Sequence, residues 1–233
     1  MQIKFYELNS FKKDTINYYL FYGTNTGLIE ETIDKVFKPF FTKNIIRYDE
    51  NELLGNIHSF KEMIFNKSFF DNKKFIIISR ATNKILDIIQ ELVESQITDI
   101  TIIIKADILE KKSKLRNYFE KNQSVAITAF YEDDYKSLSL IVQKNFREKK
   151  INISNEIINI IIERSKGNRI NINNEIEKIL SYANKDKKIE IKDMLIRTNL
   201  AEDYNISELV DHNLCKNEKK TLKILNENNL NTE

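Results

Sequence analysis

Short apolar runs alternate with stretches of helical rhythm through the first half of this chain, and that alternation limits the fold more than any other feature. Tyr18–Tyr22 (Tyr-Tyr-Leu-Phe-Tyr) is apolar throughout and stops at Gly23. Ile45–Tyr48, Phe75–Ser79, Thr101–Ile104 and Val125–Thr128 are further runs of the same kind. Such runs are too short for helices and read as strands covered on both faces. Between them, Leu28–Phe37 places Ile29, Ile33, Val36 and Phe37 on one helical face, and Pro39 punctuates its exit. Glu52–Phe65 repeats the rhythm with Leu53, Ile57, Phe60 and Ile64, and Ile85–Val93 and Lys112–Lys121 supply two more helices. The reading predicts an α/β domain over residues 1–131, a parallel sheet with helices on both faces.

The pattern changes at Tyr131-Glu-Asp-Asp-Tyr135. Asp133 or Asp134 can cap a helix running to about Lys149, and Ser154 can cap the next, with Ile157, Ile158, Ile161 and Ile162 inward and Gly167 at its stop. Asn171–Tyr182 is a third helix, and Ile189–Ile191 a short extended piece. These predict a small helical domain over residues 132–203. Ile206–Leu214 and Lys219–Leu225 are two further amphipathic helices, the start of a third, incomplete helical domain over residues 204–233.

Composition removes several function classes. Lys+Arg at 37 against Asp+Glu at 35 leaves a net charge of +2, which argues against a strongly basic nucleic-acid module. The single cysteine, Cys215, excludes a disulfide framework and a Cys-based zinc site, and reads as a small buried residue in a protein of a reducing compartment, the cytoplasm. His58 and His212 lie far apart in sequence, so no metal centre is expected. No apolar stretch approaches the ~20 residues of a membrane span, and Met1-Gln-Ile-Lys lacks a secretory pattern. No spacing suggests a Ser-His-Asp, Cys-His or paired-carboxylate site, so no catalytic residue is expected. Lys111–Arg116 reads as the solvated face of a helix whose Leu115, Tyr118 and Phe119 point inward, with a nucleic-acid patch as the alternative. Lys185–Lys188 reads as a polar turn.

A strand, a glycine-bearing turn and a helix is where a phosphate-binding loop would sit. That loop needs two glycines five residues apart, then Lys and a hydroxyl residue, because backbone amides must surround the phosphates while Lys neutralises them. Here Gly23 and Gly27 are four apart, and Leu28 and Ile29 stand where Lys and the hydroxyl residue belong. Glu30 and Glu31 then add negative charge to the helix start. The magnesium-holding acids are missing too, since Ser79-Arg80 and Lys105-Ala106 follow the candidate strands. The turn is a degenerate P-loop: no ATP site, no cofactor, no small-molecule substrate and no intrinsic enzymatic activity are expected.

Taken in order, several motifs resemble one family. They are Tyr22-Gly-Thr-Asn-Thr-Gly-Leu-Ile29, Tyr48–Leu54, Asn66–Phe75, Ala106–Glu120, Tyr131–Asp134, Gly167–Arg169 with Asn174–Ile179, and Ser207–Asp211. They resemble the delta subunit of the bacterial DNA polymerase III clamp loader. The resemblance implies an AAA+-like α/β domain without a working ATP site, a helical lid domain and a helical collar domain. It implies binding to the sliding clamp and opening of its ring interface during DNA replication. The other partners would be the ATPase subunits, delta prime and, through the assembled complex, primer–template DNA. The chain would then be a non-catalytic component of a DNA-directed DNA polymerase, a nucleotidyltransferase complex.

The clamp contact implied by the resemblance is an apolar wedge before a central strand. It falls on Phe69 and Phe70, flanked by Ser68 and Lys67. Read from the residues alone, the pair suits a core; the resemblance moves at least one of the two to a partner-facing wedge. The family often carries an apolar residue where Lys67 stands, so the apolar footprint is smaller here. The alternatives are another catalytically inactive AAA+ scaffold subunit and a DNA-binding regulator.

Overall fold

The computed structural model describes residues 1–8, 10, 16–41, 45–65, 74–182 and 206–227. They divide between two compact units, Met1–Asp133 and Asp134–Glu233.

The first unit is built on five parallel strands, β1 (Tyr18–Tyr22), β2 (Ile45–Asp49), β3 (Lys74–Ser79), β4 (Ile100–Ala106) and β5 (Ala126–Ala129), in the order β2-β3-β4-β1-β5. Successive residues of a strand face opposite sides of the sheet, so a strand apolar at every position feeds two cores. Tyr18, Leu20 and Tyr22 of β1 join one cluster with Ile76, Ile78, Ile102 and Ile104. That face is covered by α3 (Ile57–Phe65), α4 (Leu86–Glu94) and α5 (Lys114–Lys121) through Phe60, Ile64, Ile89, Leu92, Leu115 and Phe119. Tyr19 and Phe21 join the other cluster with Phe75, Ile77 and Ile103, under α1 (Thr26–Thr32) and the wider helical turn Ile33–Phe37 that continues it.

Several expected elements shift by one or two residues at their ends, and two of the changes have a visible cause. The first helix starts at Thr26, because the Asn25 side chain accepts from Leu28 N and moves the cap forward. The expected single helix over Glu52–Phe65 is two, α2 (Glu50–Gly55) and α3, broken at Asn56 with φ −132° and ψ 43°. Gly55 is a weak helix former, and Leu53 before the break and Phe60 after it are both buried in the core.

The second unit begins with α6 (Tyr135–Glu148), α7 (Asn155–Arg164) and α8 (Arg169–Tyr182). Of the two candidate caps it is Asp134 that accepts from Ser137 N, at 2.8 Å, and Ser154 accepts from Ile157 N at 3.3 Å. Gly167, at φ +68°, ends α7 with its amide on Ile162 O. Leu138, Val142, Phe146, Ile158, Ile161, Ile172 and Ile176 form the core. Two later helices, α9 (Ile206–Leu214) and α10 (Glu218–Glu227), touch each other. Cys215 is exposed rather than buried, because it follows the last turn of α9. Lys185–Lys188 and Ile189–Ile191 lie outside the described residues.

Tyr18 donates its hydroxyl to Leu92 O at 2.8 Å, and burial pushes its pKa up to about 12 from the ordinary 10.0. The folded hydroxyl keeps its proton to higher pH than the unfolded one. Its contribution to stability is therefore whole below about pH 10 and declines as the pH rises from there toward 12. Tyr18→Phe should cost about 1 kcal/mol at neutral pH and flatten part of the alkaline loss, as read by urea denaturation across that range.

Candidate functional site

The turn after β1 lies at the C-terminal edge of the parallel sheet, where open α/β folds place ligands. Gly23 has φ +135°, and a Cβ there would lie 2.1 Å from Phe130 O. Only glycine fits, both for its backbone angle and for this close approach. Phe130 N in turn donates to Tyr22 O at 2.8 Å, carrying the β1–β5 ladder one residue past β5.

The loop amides are largely committed to protein acceptors. Gly23 N donates to Ala106 O at 3.3 Å, Asn25 N to Phe130 O at 3.3 Å and Thr26 N to Thr24 O at 3.0 Å. Leu28 N donates to Asn25 Oδ1 at 3.0 Å and Ile29 N to Asn25 O at 3.1 Å. In a phosphate loop such groups converge on the anion. Gly27 lies in the first turn of α1.

The charges at this edge run opposite to those of a nucleotide site. Such a site needs a cation after the loop and acids at the strand ends. Here the acid follows the loop: Glu30 pairs with Lys105 of β4, and its Oε2 lies 4.0 Å from Arg47 Nη2. Arg80 follows β3, at φ +58°, and pairs with Asp49. The Arg80 guanidinium bonded to Asp49 holds that carboxyl below the usual carboxylate range. Next to it Glu50, 3% exposed, accepts from Thr82 N at 2.7 Å and Thr82 Oγ1 at 2.8 Å. Sequence reasoning missed Glu50, because its partner is 32 residues away and no local spacing marks the pair.

Arg116 departs from its expected place on a solvated face. Its guanidinium stands 5.0 Å from the Tyr22 ring, Nη1 donates to Leu109 O at 2.9 Å, and Nε pairs with Glu120 at 2.8 Å. Leu115 and Phe119 are buried and Tyr118 is partly buried, as the helical spacing requires.

The opposite, N-terminal edge is where β3 begins. The expected clamp contact, Lys67, Ser68, Phe69 and Phe70, lies outside the described residues. The two ends of their segment are described. α3 ends at Phe65, β3 begins at Lys74, and Lys74 Nζ donates to Met63 O at 2.5 Å, drawing the two ends together. Phe65 is 46% exposed, and Phe40 is 69% exposed. Phe41, beside Phe40, stacks on Phe75 at the start of β3 with ring centroids 4.5 Å apart. Among the described residues no group of three or more His, Cys, Asp or Glu is placed to hold a metal ion. No described helix is long and apolar enough to cross a membrane.

Residues 19–130 match the family model of the DNA polymerase III delta subunit. The α/β unit belongs to the DNA polymerase III delta-subunit family. The family match spans both the Gly23–Gly27 turn and the Lys67–Phe70 segment. A curated relative from Rickettsia prowazekii (strain Madrid E), a probable DNA polymerase III subunit delta, is 23% identical over 150 residues. That stretch is 64% of this chain and 45% of the relative, so the match spans less than half of the relative's length. In fold the chain is similar to the Bacillus subtilis DNA clamp loader delta protein, with a TM-score of 0.55 at 16% identity, over 95% of this chain and 69% of that one. It is also similar to the Thermotoga maritima RuvB Holliday junction branch migration motor, with a TM-score of 0.53 at 15% identity, over 78% of this chain and 61% of that one. These likenesses establish an AAA+-like α/β fold.

Gly23→Ala should cost about 3 kcal/mol or more, from a strained backbone and the overlap with Phe130 O. Gly27→Ala, on helical backbone, should stay within about 1 kcal/mol of the parent. Chemical denaturation of the two variants side by side checks the contrast.

Proposed function

We propose that this chain works as a clamp-loader delta subunit: it binds a sliding clamp through Lys67, Ser68, Phe69 and Phe70 and opens one interface of the ring. The observation that carries this reading is the family match, which runs through that segment. The bracing of the segment's ends by Lys74 and Met63, and the exposed Phe65 beside it, support it. Two adjacent aromatics can bury a large area in a partner's pocket and act as binding hot spots. The mechanism is differential binding. A contact that fits the opened ring better than the closed one shifts the ring toward opening by the difference in affinity.

In this reading the α/β unit uses no ATP. The loop amides already bonded within the protein and the reversed charges at the loop edge support that. ATP-driven steps belong to the ATPase subunits; delta prime is a further partner, and primer–template DNA is met through the assembled complex, in the cytoplasm. Residues 132–203 serve as the lid domain and 204–233 as the start of the collar.

Binding of this chain to its organism's sliding clamp should weaken by about 100-fold or more in a Phe69→Ala/Phe70→Ala double variant that keeps the parent's circular dichroism. Binding that survives the change would move the contact elsewhere, and an absence of binding by the parent would favour the inactive-scaffold alternative. A non-hydrolysable ATP analogue at millimolar concentration should leave the melting midpoint unchanged. A ligand bound to the folded state would raise it by mass action.

A further inference from the structure

Asn25, 8% exposed, is the buried polar residue of the degenerate loop, and its groups face two ways. Toward the helix, Oδ1 accepts from Leu28 N at 3.0 Å and its carbonyl from Ile29 N at 3.1 Å. Toward the end of the α/β unit, its amide donates to Phe130 O at 3.3 Å, and Nδ2 donates to Tyr131 O at 3.0 Å and Asp133 Oδ2 at 2.8 Å. The stretch so held, Phe130–Asp133, is the last of the first unit, one residue before Asp134 caps α6.

Helix capping alone does not require asparagine. Ser, Thr or Asp would supply the acceptor equally well. What asparagine adds is a pair of N–H donors on the same side chain, and both are spent on the exit segment. Gly23 contributes the other half of the arrangement, because its missing side chain is what admits Phe130 O.

We propose that the degenerate phosphate loop is a latch: Asn25 and Gly23 hold residues 130–133 as a permanent internal ligand where a phosphate loop would hold an anion. The chain's point of departure from the α/β unit is then fixed by protein contacts and needs no nucleotide. Asn25 acts as a positioning residue.

The test is residue-resolved amide hydrogen exchange on the full chain, with the parent, Asn25→Asp and Asn25→Ser. Both variants keep a capping oxygen for Leu28 N and lose the Nδ2 donors; Asp also sets a second carboxylate against Asp133. The amides of Asn25 and Phe130 report the grip, and those of Leu28 and Ile29 report the helix start. The grip amides should exchange about tenfold faster in Asn25→Ser, and faster still in Asn25→Asp, while the helix-start amides stay at the parent's rates. Unchanged grip amides in Asn25→Ser would overturn the latch. So would equal acceleration at both places, since Asn25 would then be only a cap. Circular dichroism matching the parent confirms that each variant is folded, and Asn25→Ser alone decides the matter if Asn25→Asp does not fold.

Discussion

The close approach between Gly23 and the backbone of Phe130 is the constraint on which the C-terminal edge of the sheet depends. A carbonyl oxygen lies 2.1 Å from where a side chain would begin. The contact holds the turn after β1 against the exit of β5, and the amide–carbonyl pairs on either side of it, Phe130 to Tyr22 and Asn25 to Phe130, leave no room for a wider loop. A phosphate cradle needs the reverse, a loop held open with its donors turned to the solvent. Here the same local plan of strand, turn and helix is turned inward by hydrogen bonds across the sheet.

The charges follow from that closure. No lysine stands at the helix start, and Glu30 meets Lys105 and lies near Arg47. Asp49 and Arg80 form a second pair at the ends of neighbouring strands, and Glu50 is buried on Thr82. A buried carboxylate is costly unless fully bonded, and its two partners come from the turn after β3. Pairs of this kind join the ends of the strands to one another. The N-terminal edge of the same sheet carries the exposed Phe40 and Phe65 and the bond from Lys74 to Met63 O. The parallel topology therefore separates an inward-bonded edge from the edge that carries these aromatics, at opposite ends of β1 and β3.

Much of the α/β unit was legible in the residues, for a definite reason. Tyr18–Tyr22 and Phe75–Ile78 are apolar at every position, and only a strand with a core on both faces accepts that pattern. The departure of the Gly23–Gly27 turn from the phosphate-loop pattern was legible because that pattern demands particular residues at fixed spacing, and Leu28 and Ile29 do not supply them. The break at Asn56 was not legible, since Leu53, Ile57, Phe60 and Ile64 keep a helical rhythm across it. Nor was the place of Arg116, which the Tyr22 ring and Leu109 O take off the solvated face. The expected clamp contact, Lys67–Phe70, lies outside the described residues and rests on the family resemblance alone.

By itself the sequence determined the elements, their two-sided burial and the absence of phosphate-loop residues, because periodicity and short-range spacing are local properties of a chain. The strand order, the filling of the loop by Phe130, the reach of Asn25 to Asp133 and the pairing of Glu50 with Thr82 were decided only by the tertiary structure. Each joins residues that no local pattern connects, and each exists only once the strands have taken their places beside one another.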